Sequence, residues 1–147
     1  MEVGGWRLFQ YPLFETELTE LAKAVEKLSI QAPKTYSEHP KAKLLATIRR
    51  YIHEVIPRNP GAAEFRQGDA LGPDNRHWFR AKFHQRYRLF FRFSTKGRII
   101  VYVWVNDERT LRKAGSKTDP YAVFRSMLRA GNPPQTLESL LKRRKEI

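Results

Sequence analysis

From Trp78 to Phe93 the chain alternates, and no other feature narrows its possible folds as much. Even positions read Trp78, Arg80, Lys82, His84, Arg86, Arg88, Phe90 and Arg92; odd positions read Phe79, Ala81, Phe83, Gln85, Tyr87, Leu89, Phe91 and Phe93. A repeat of two is the repeat of a strand, so one face of a sheet is apolar here and the other cationic. The wider stretch from Arg76 to Val105 holds eight Arg or Lys and no Asp or Glu. Like charges gathered on one face repel one another, and folding alone gives no reason to gather them. An anionic partner supplies the reason.

The formal charge of +13 over 147 residues is placed unevenly. Residues 1–75 hold ten Lys or Arg against ten Asp or Glu, whereas residues 76–147 hold eighteen against five and carry the whole excess. Such asymmetry favours a polyanion, nucleic acid before an anionic membrane. No apolar run approaches the ~20 residues of a membrane span, and the N-terminal residues lack the basic-then-apolar order of a signal peptide. Cysteine is absent, which excludes disulfides, thiolate metal sites and Cys nucleophiles and fits a cytoplasmic protein without membrane association. The length suits one domain, 1–147, with a helical hairpin over about 14–56 and a basic sheet with C-terminal helices over about 76–147.

Within that frame, Gly5 to Tyr11 is aromatic-rich and reads as a strand. Phe14 to Leu28 places Phe14, Leu18, Leu21, Val25 and Leu28 on one helical stripe. A second amphipathic helix runs from about Pro40 to Ile56, stopped by Pro57. Arg58 to Asn75 reads as a long loop, a length that compact domains keep when the loop has a task. Strands are predicted over Trp78–Phe83, Tyr87–Ser94 and Arg98–Val105, the last two joined by a tight turn at Thr95-Lys96-Gly97. The last strand is apolar on both faces, as a central strand is. Asp119-Pro120 caps a helix that Gly131 ends, and Leu137 to Ile147 is a further helical segment with a basic tail. The order predicts an α+β fold: strand, helix, helix, three antiparallel strands and a C-terminal helix, with the helices on one face of a four-stranded sheet and the other face left cationic.

Several chemistries lack their residues. No Gly-rich phosphate loop occurs, so no nucleotide cofactor is expected. His39, His53, His77 and His84 have no metal-ligand spacing, so no metal is expected. No His–Asp arrangement supports Ser116 as a nucleophile. What remains is Arg, Lys, His and Tyr with few carboxylates, an inventory suited to cutting RNA without metal. The 2′-hydroxyl attacks its own phosphate once a base removes its proton, cations stabilise the phosphorane, and an acid protonates the leaving 5′-oxygen. Arginine forks bind phosphate bidentately, and Lys82, crowded by arginines, is a candidate base.

The element order resembles the RelE superfamily of bacterial toxin ribonucleases. Within it, much of the chain is similar to the YhaV toxins of PrlF–YhaV toxin–antitoxin pairs. The matching stretches are Gly5-Trp6, Lys43-Leu44-Leu45-Ala46, Phe65-Arg66-Gln67-Gly68, Arg86-Tyr87-Arg88-Leu89-Phe90-Phe91-Arg92, Trp104-Val105-Asn106-Asp107-Glu108, Thr110-Leu111-Arg112 and Lys117-Thr118-Asp119 with Tyr121. The resemblance implies an mRNA interferase of a type II system that cuts mRNA, free or on the ribosome, and inhibits translation and growth. It implies an acidic PrlF-like antitoxin as partner, with operator DNA reached only through the antitoxin complex. By the same resemblance Arg80, Lys82, Arg88, Arg112 and Tyr121 form the catalytic set, with Tyr121 as acid. Arg86 and Lys117 are further RNA contacts, joined by Arg76, His77 and His84 around the cationic strand.

Two other readings stay open on the residues alone. The cationic face could bind nucleic acid without cutting it, with Tyr87 or Trp78 as stacking platforms. A RelE-fold toxin could instead act on a protein target such as gyrase. Asp119 reads chiefly as a helix cap, and Asn106-Asp107-Glu108 as the end of the central strand, pinning the loop that carries Arg112.

Overall fold

Gly4 and Gly5, both at positive φ, fold the first strand, β1 (Glu2–Val3), back onto β2 (Trp6–Gln10). A two-residue hairpin turn with both central residues left-handed is the arrangement glycine permits without strain. The computed structural model describes residues 1–147. After β2 come α1 (Pro12–Gln31), α2 (Pro40–Arg50) and α3 (Ile56–Arg58), then β3 (Phe79–Phe83), β4 (Tyr87–Ser94) and β5 (Ile99–Val105). The chain ends with α4 (Pro120–Arg129), α5 (Leu137–Leu141) and β6 (Lys145–Glu146). The fold is α+β, with a mixed sheet ordered β1-β2-β5-β4-β3 and with β6 added to β2. β2 and β5 run parallel, whereas β3, β4 and β5 form an antiparallel meander.

The alternation of residues 78–93 survives the turn between β3 and β4. Arg80 lies opposite Phe90 and Lys82 opposite Arg88, so partners always differ by an even number and even positions of both strands share a face. Odd positions Ala81, Phe83, Leu89 and Phe91 join Leu8, Phe14, Leu44, Ile48, Ile52 and Tyr102 in one apolar cluster under α1 and α2. Even positions Trp78 and Phe90 join Phe9, Val101, Val103, Trp104, Tyr121, Phe124 and Leu140 in a second cluster under α4 and α5.

The helices therefore cover both faces of the sheet, which corrects the expectation of a single helical layer and an open cationic face. The reason lies in β5, whose apolar residues face both ways. Its register slips by one residue opposite Phe90 and Phe91, so Val103 and Trp104 both belong to the second cluster.

Three local departures have physical causes. Pro57 does not stop the second helix; the backbone widens into a π turn over Tyr51–Val55 and continues to Arg58. In that register Ile56 N–H donates to the Tyr51 carbonyl, and residue 57 would serve Ile52 but, being proline, has no N–H. The buried Tyr102 hydroxyl donates to the Ile52 carbonyl instead, at 2.7 Å. The C-terminal segment is helical only to Leu141. Beyond it Lys145–Glu146 pairs with Phe9 and Gln10 of β2, while Arg143 and Arg144 lie over the rings of Tyr11 and Phe9. The loop over residues 58–75 is ordered from within: Gln67 accepts from Leu71 N–H and donates to the Asn75 carbonyl, and Asn75 donates to the Leu71 carbonyl. These bonds seat Leu71 in the second cluster.

Candidate active site

On the even face of β3 and β4 the aromatic packing gives way to arginine at one end. Arg80 and Arg88 are each only 7% exposed, and neither has a carboxylate partner. Buried guanidinium groups need acceptors, and each finds them in carbonyl oxygens and one hydroxyl. Arg80 Nη1 donates to the Glu64 carbonyl at 2.8 Å, and Arg88 Nη1 donates to the carbonyls of Gln85 and Tyr87 at 3.0 and 2.9 Å. Gln85 and its neighbour His84 both have positive φ (61° and 47°). This left-handed pair turns the chain tightly enough to bring the Gln85 carbonyl back over Arg88.

The two arginines meet at Tyr121. Its hydroxyl oxygen accepts from Arg80 Nε at 2.8 Å and from Arg88 Nε at 3.1 Å. The ring stands edge-on to Phe90, and the guanidinium carbons of Arg112 and Arg88 lie 5.1 and 5.8 Å from its centre. The hydroxyl donates to no protein acceptor, so its proton is free for an incoming group. The Nη2 groups of Arg80 and Arg88 also have no protein acceptor. Since Arg125 Nε is the one buried side-chain nitrogen or oxygen without a partner, both Nη2 groups reach the surface.

Two carboxyl or carboxamide groups hold this cluster together. Asp119, buried at the start of α4, accepts from Tyr121 N–H as a helix cap and also from Lys113 N–H and Arg112 Nη1, the last at 2.6 Å. One carboxylate thus fixes both the helix that carries Tyr121 and the loop that carries Arg112. Asn106 accepts from Arg88 N–H and donates to the Arg86 and Thr110 carbonyls, tying β4 to the same loop. Arg86 Nε donates to the Arg112 carbonyl, and Arg112 N–H donates back to Arg86. Beside the cluster an open groove of about 430 Å³ is lined by Arg112, Lys117, Asp119, Tyr121 and Arg125.

Among the residues expected at a site, the structure brings Arg80, Arg88, Arg112 and Tyr121 together, with Arg86 bonded to their loop and Lys117 in the groove. Lys82 is exposed on the same face, directly across from Arg88. The side chains of the other three have partners outside the cluster. Arg76 pairs with Asp69 at 2.7 Å. His77 meets Gln135, which also accepts from Trp78; burial lowers its pKa and nearby Arg92 adds to this, against the effect of the Gln135 hydrogen bond. His84 lies at the β3–β4 turn against Thr47 of α2. Sequence reasoning undervalued Asp119, whose capping position was plain but whose grip on Arg112 was not, and it passed over Arg125.

The chain matches the YhaV toxin family, described as toxins with endonuclease activity of toxin–antitoxin systems, over residues 8–145. It is 44% identical to "Toxin YhaV" of Escherichia coli O6:H1 strain CFT073 over 146 residues, spanning 98% of this chain and 95% of that protein. It is 43% identical, with the same coverage, to "Ribonuclease toxin YhaV" of Escherichia coli K12. No solved structure matches the chain. A family match spanning nearly the whole length, and relatives this similar over almost all of theirs, place the chain among the YhaV toxins, endonucleases of toxin–antitoxin systems.

Proposed function

We propose that this chain is a metal-independent endoribonuclease that cuts mRNA by attack of a 2′-hydroxyl on the adjacent phosphate, and so inhibits translation and growth. The observation that carries this reading is the Tyr121 hydroxyl seated between Arg80 Nε and Arg88 Nε. A phosphate placed above that oxygen is met by the free Nη2 groups of both arginines and by Arg112, which together stabilise the phosphorane dianion. Lys82, across from Arg88, takes the proton of the attacking 2′-oxygen when present as the free amine, and becomes an ammonium. As the new P–O2′ bond forms, the P–O5′ bond breaks and the Tyr121 proton passes to the leaving 5′-oxygen. The two Nε–H groups already on the phenol oxygen hold the negative charge left behind. The one carboxylate bonded to the cluster's side chains, Asp119, is occupied by Arg112 and two backbone N–H groups, so this donor set suits cationic catalysis better than metal binding.

The stacking surfaces required by a purely binding role are poorly available. Trp78 is fully buried. Tyr87 belongs to the opposite face, where Glu108 and Asp107 lie near enough to raise its pKa after burial. For the partner, we propose an acidic PrlF-like antitoxin that covers the cationic face, with operator DNA contacted only through that complex.

The test is cleavage of a long mRNA in EDTA, with the product ends determined. Expected products are a 2′,3′-cyclic phosphate and a 5′-hydroxyl, formed by the native chain and not by Arg88→Ala. Loss of cutting in EDTA, or 5′-phosphate ends, overturns the mechanism.

A further inference from the structure

Arg125 lies one helical turn beyond Tyr121 on α4, and its Nε is buried without a hydrogen-bond partner. Buried donors left in this state are rare, and each costs about 1–3 kcal/mol, so the position is informative. Arg125 lines the groove beside the arginine–tyrosine cluster, as does Lys117 from the facing loop. Neither forms an ion pair. The one carboxylate lining the groove is Asp119, held by Arg112 at 2.6 Å. Its other walls are small or neutral: Ala70, Ala114, Gly115, Ser116 and Ala122.

We propose that this groove is a second phosphate subsite, holding the RNA phosphate next to the scissile one between Arg125 and Lys117. This rests on the ribonuclease reading given above. Four residues of α-helix advance about 6 Å, comparable to one nucleotide step along an extended single strand. Tyr121 and Arg125 are therefore spaced to address successive phosphates from one helix face. The Arg125 Nη groups also donate to no protein acceptor and are not buried, so this end of the guanidinium fork is open to a phosphate, and the small walls leave room for the sugar–phosphate chain.

A random-sequence octanucleotide with 2′-O-methyl riboses cannot be cut and isolates binding. With this fluorescent probe, Arg125→Gln is expected to bind about tenfold more weakly. The salt dependence of log Kd should be shallower by about 1, the signature of one lost phosphate contact. On cleavable RNA the defect should fall on KM rather than kcat. If Arg125→Gln fails to fold by circular dichroism, the exposed Lys117→Gln carries the test with the same expected change in slope. Native affinity and slope in the folded variant overturn the subsite; if Arg88→Ala has meanwhile lost cleavage, the nuclease reading stands without it. Weakened antitoxin binding with unchanged RNA binding assigns the groove to a protein partner and also overturns it. A native chain that binds the probe through Arg125 and cuts no RNA supports the groove and removes the nuclease reading.

Discussion

The two faces of the sheet are built from the same strands and end in opposite electrostatics. Under α1 and α2 the face is apolar, and at the Asn106 end it opens into a hollow of about 290 Å³ lined by four carboxylates, Glu17, Glu20, Asp107 and Glu108, against two cations, Lys41 and Arg109, the latter paired with Asp107 at 2.6 Å. Burial first, and then the charges of Asp107 and Glu20, raise the Glu17 pKa. Under α4 the same sheet end carries Arg80, Arg88 and Arg112 around Tyr121. An anionic strand is repelled by one opening and drawn to the other. Net charge is therefore a poor guide to a surface: one sheet end places carboxylates around an opening on one side and buried arginines without carboxylate partners on the other.

Removing one group from each face should break different properties. Tyr121→Phe deletes the proposed acid and should slow RNA cleavage by about 10²–10⁴, measured in single-turnover reactions, while the chain stays folded. Phe91→Ala, on the apolar face and fully buried, should cost about 3–5 kcal/mol, read as a shift of the denaturation midpoint. A Tyr121→Phe variant that cuts at the native rate would show that the hydroxyl only positions the arginines.

A subtler contrast comes from Arg88. Replacing it with methionine keeps most of the volume and removes one of two neighbouring buried cations, which offsets the hydrogen bonds lost to the Gln85 and Tyr87 carbonyls, so stability should change by no more than about 1 kcal/mol. Cleavage should fall by about 10²–10³, the usual cost of losing one transition-state electrostatic contact. If Arg88→Met unfolds the chain, the cluster serves the fold as much as the chemistry, and the contrast between the faces weakens.

How much of this was legible in the sequence depends on whether the cause was local. The parity of residues 78–93 needed only the strand repeat, and the Asp119-Pro120 cap only a dipeptide. The covering of both faces is encoded too, in the two-sided apolar run Ile99–Val105, but that run specifies a central strand and does not say which elements lie on either side of it. The π turn was hidden because the bond that tolerates Pro57 comes from Tyr102, about fifty residues away in the chain. For the same reason Arg80, Arg88, Arg112 and Tyr121 were expected together through family resemblance, whereas the grip of Asp119 on Arg112 appeared only in the fold. His77 shows the reverse: its adjacency in sequence to Trp78 and Arg80 points to the site, whereas the acceptor on its ring comes from Gln135, far along the chain.

Asp119 lets that non-local link be weighed. Asp119→Ala should cost about 1–2 kcal/mol, from a lost helix cap and a partly exposed ion pair. It should also free Arg112, so cleavage should fall by about tenfold, the range of a positioning error. Asp119→Asn retains a capping oxygen and should recover most of the stability but not the rate. Equal recovery of both would reduce Asp119 to a cap.

The smallest expected effect concerns His77, and it sharpens the boundary of the site. Burial, with Arg92 nearby, lowers its folded-state pKa, while the unfolded chain titrates near the ordinary value of about 6.5. The unfolded state therefore binds the proton first as the solution is acidified. The stability from a neutral His77 is complete above that unfolded value and is lost as pH falls through the lower folded one. Urea unfolding at pH 7.5 and 5.5, followed by far-ultraviolet circular dichroism, should show a larger loss of stability for the native chain than for His77→Gln. The pH profile of cleavage should be the same in both, because His77 bonds to Gln135 and not to the Tyr121 cluster. A cleavage profile that changes with His77→Gln would extend the site along β3 to the far end of the sheet and erase the division between its arginine end and its aromatic end.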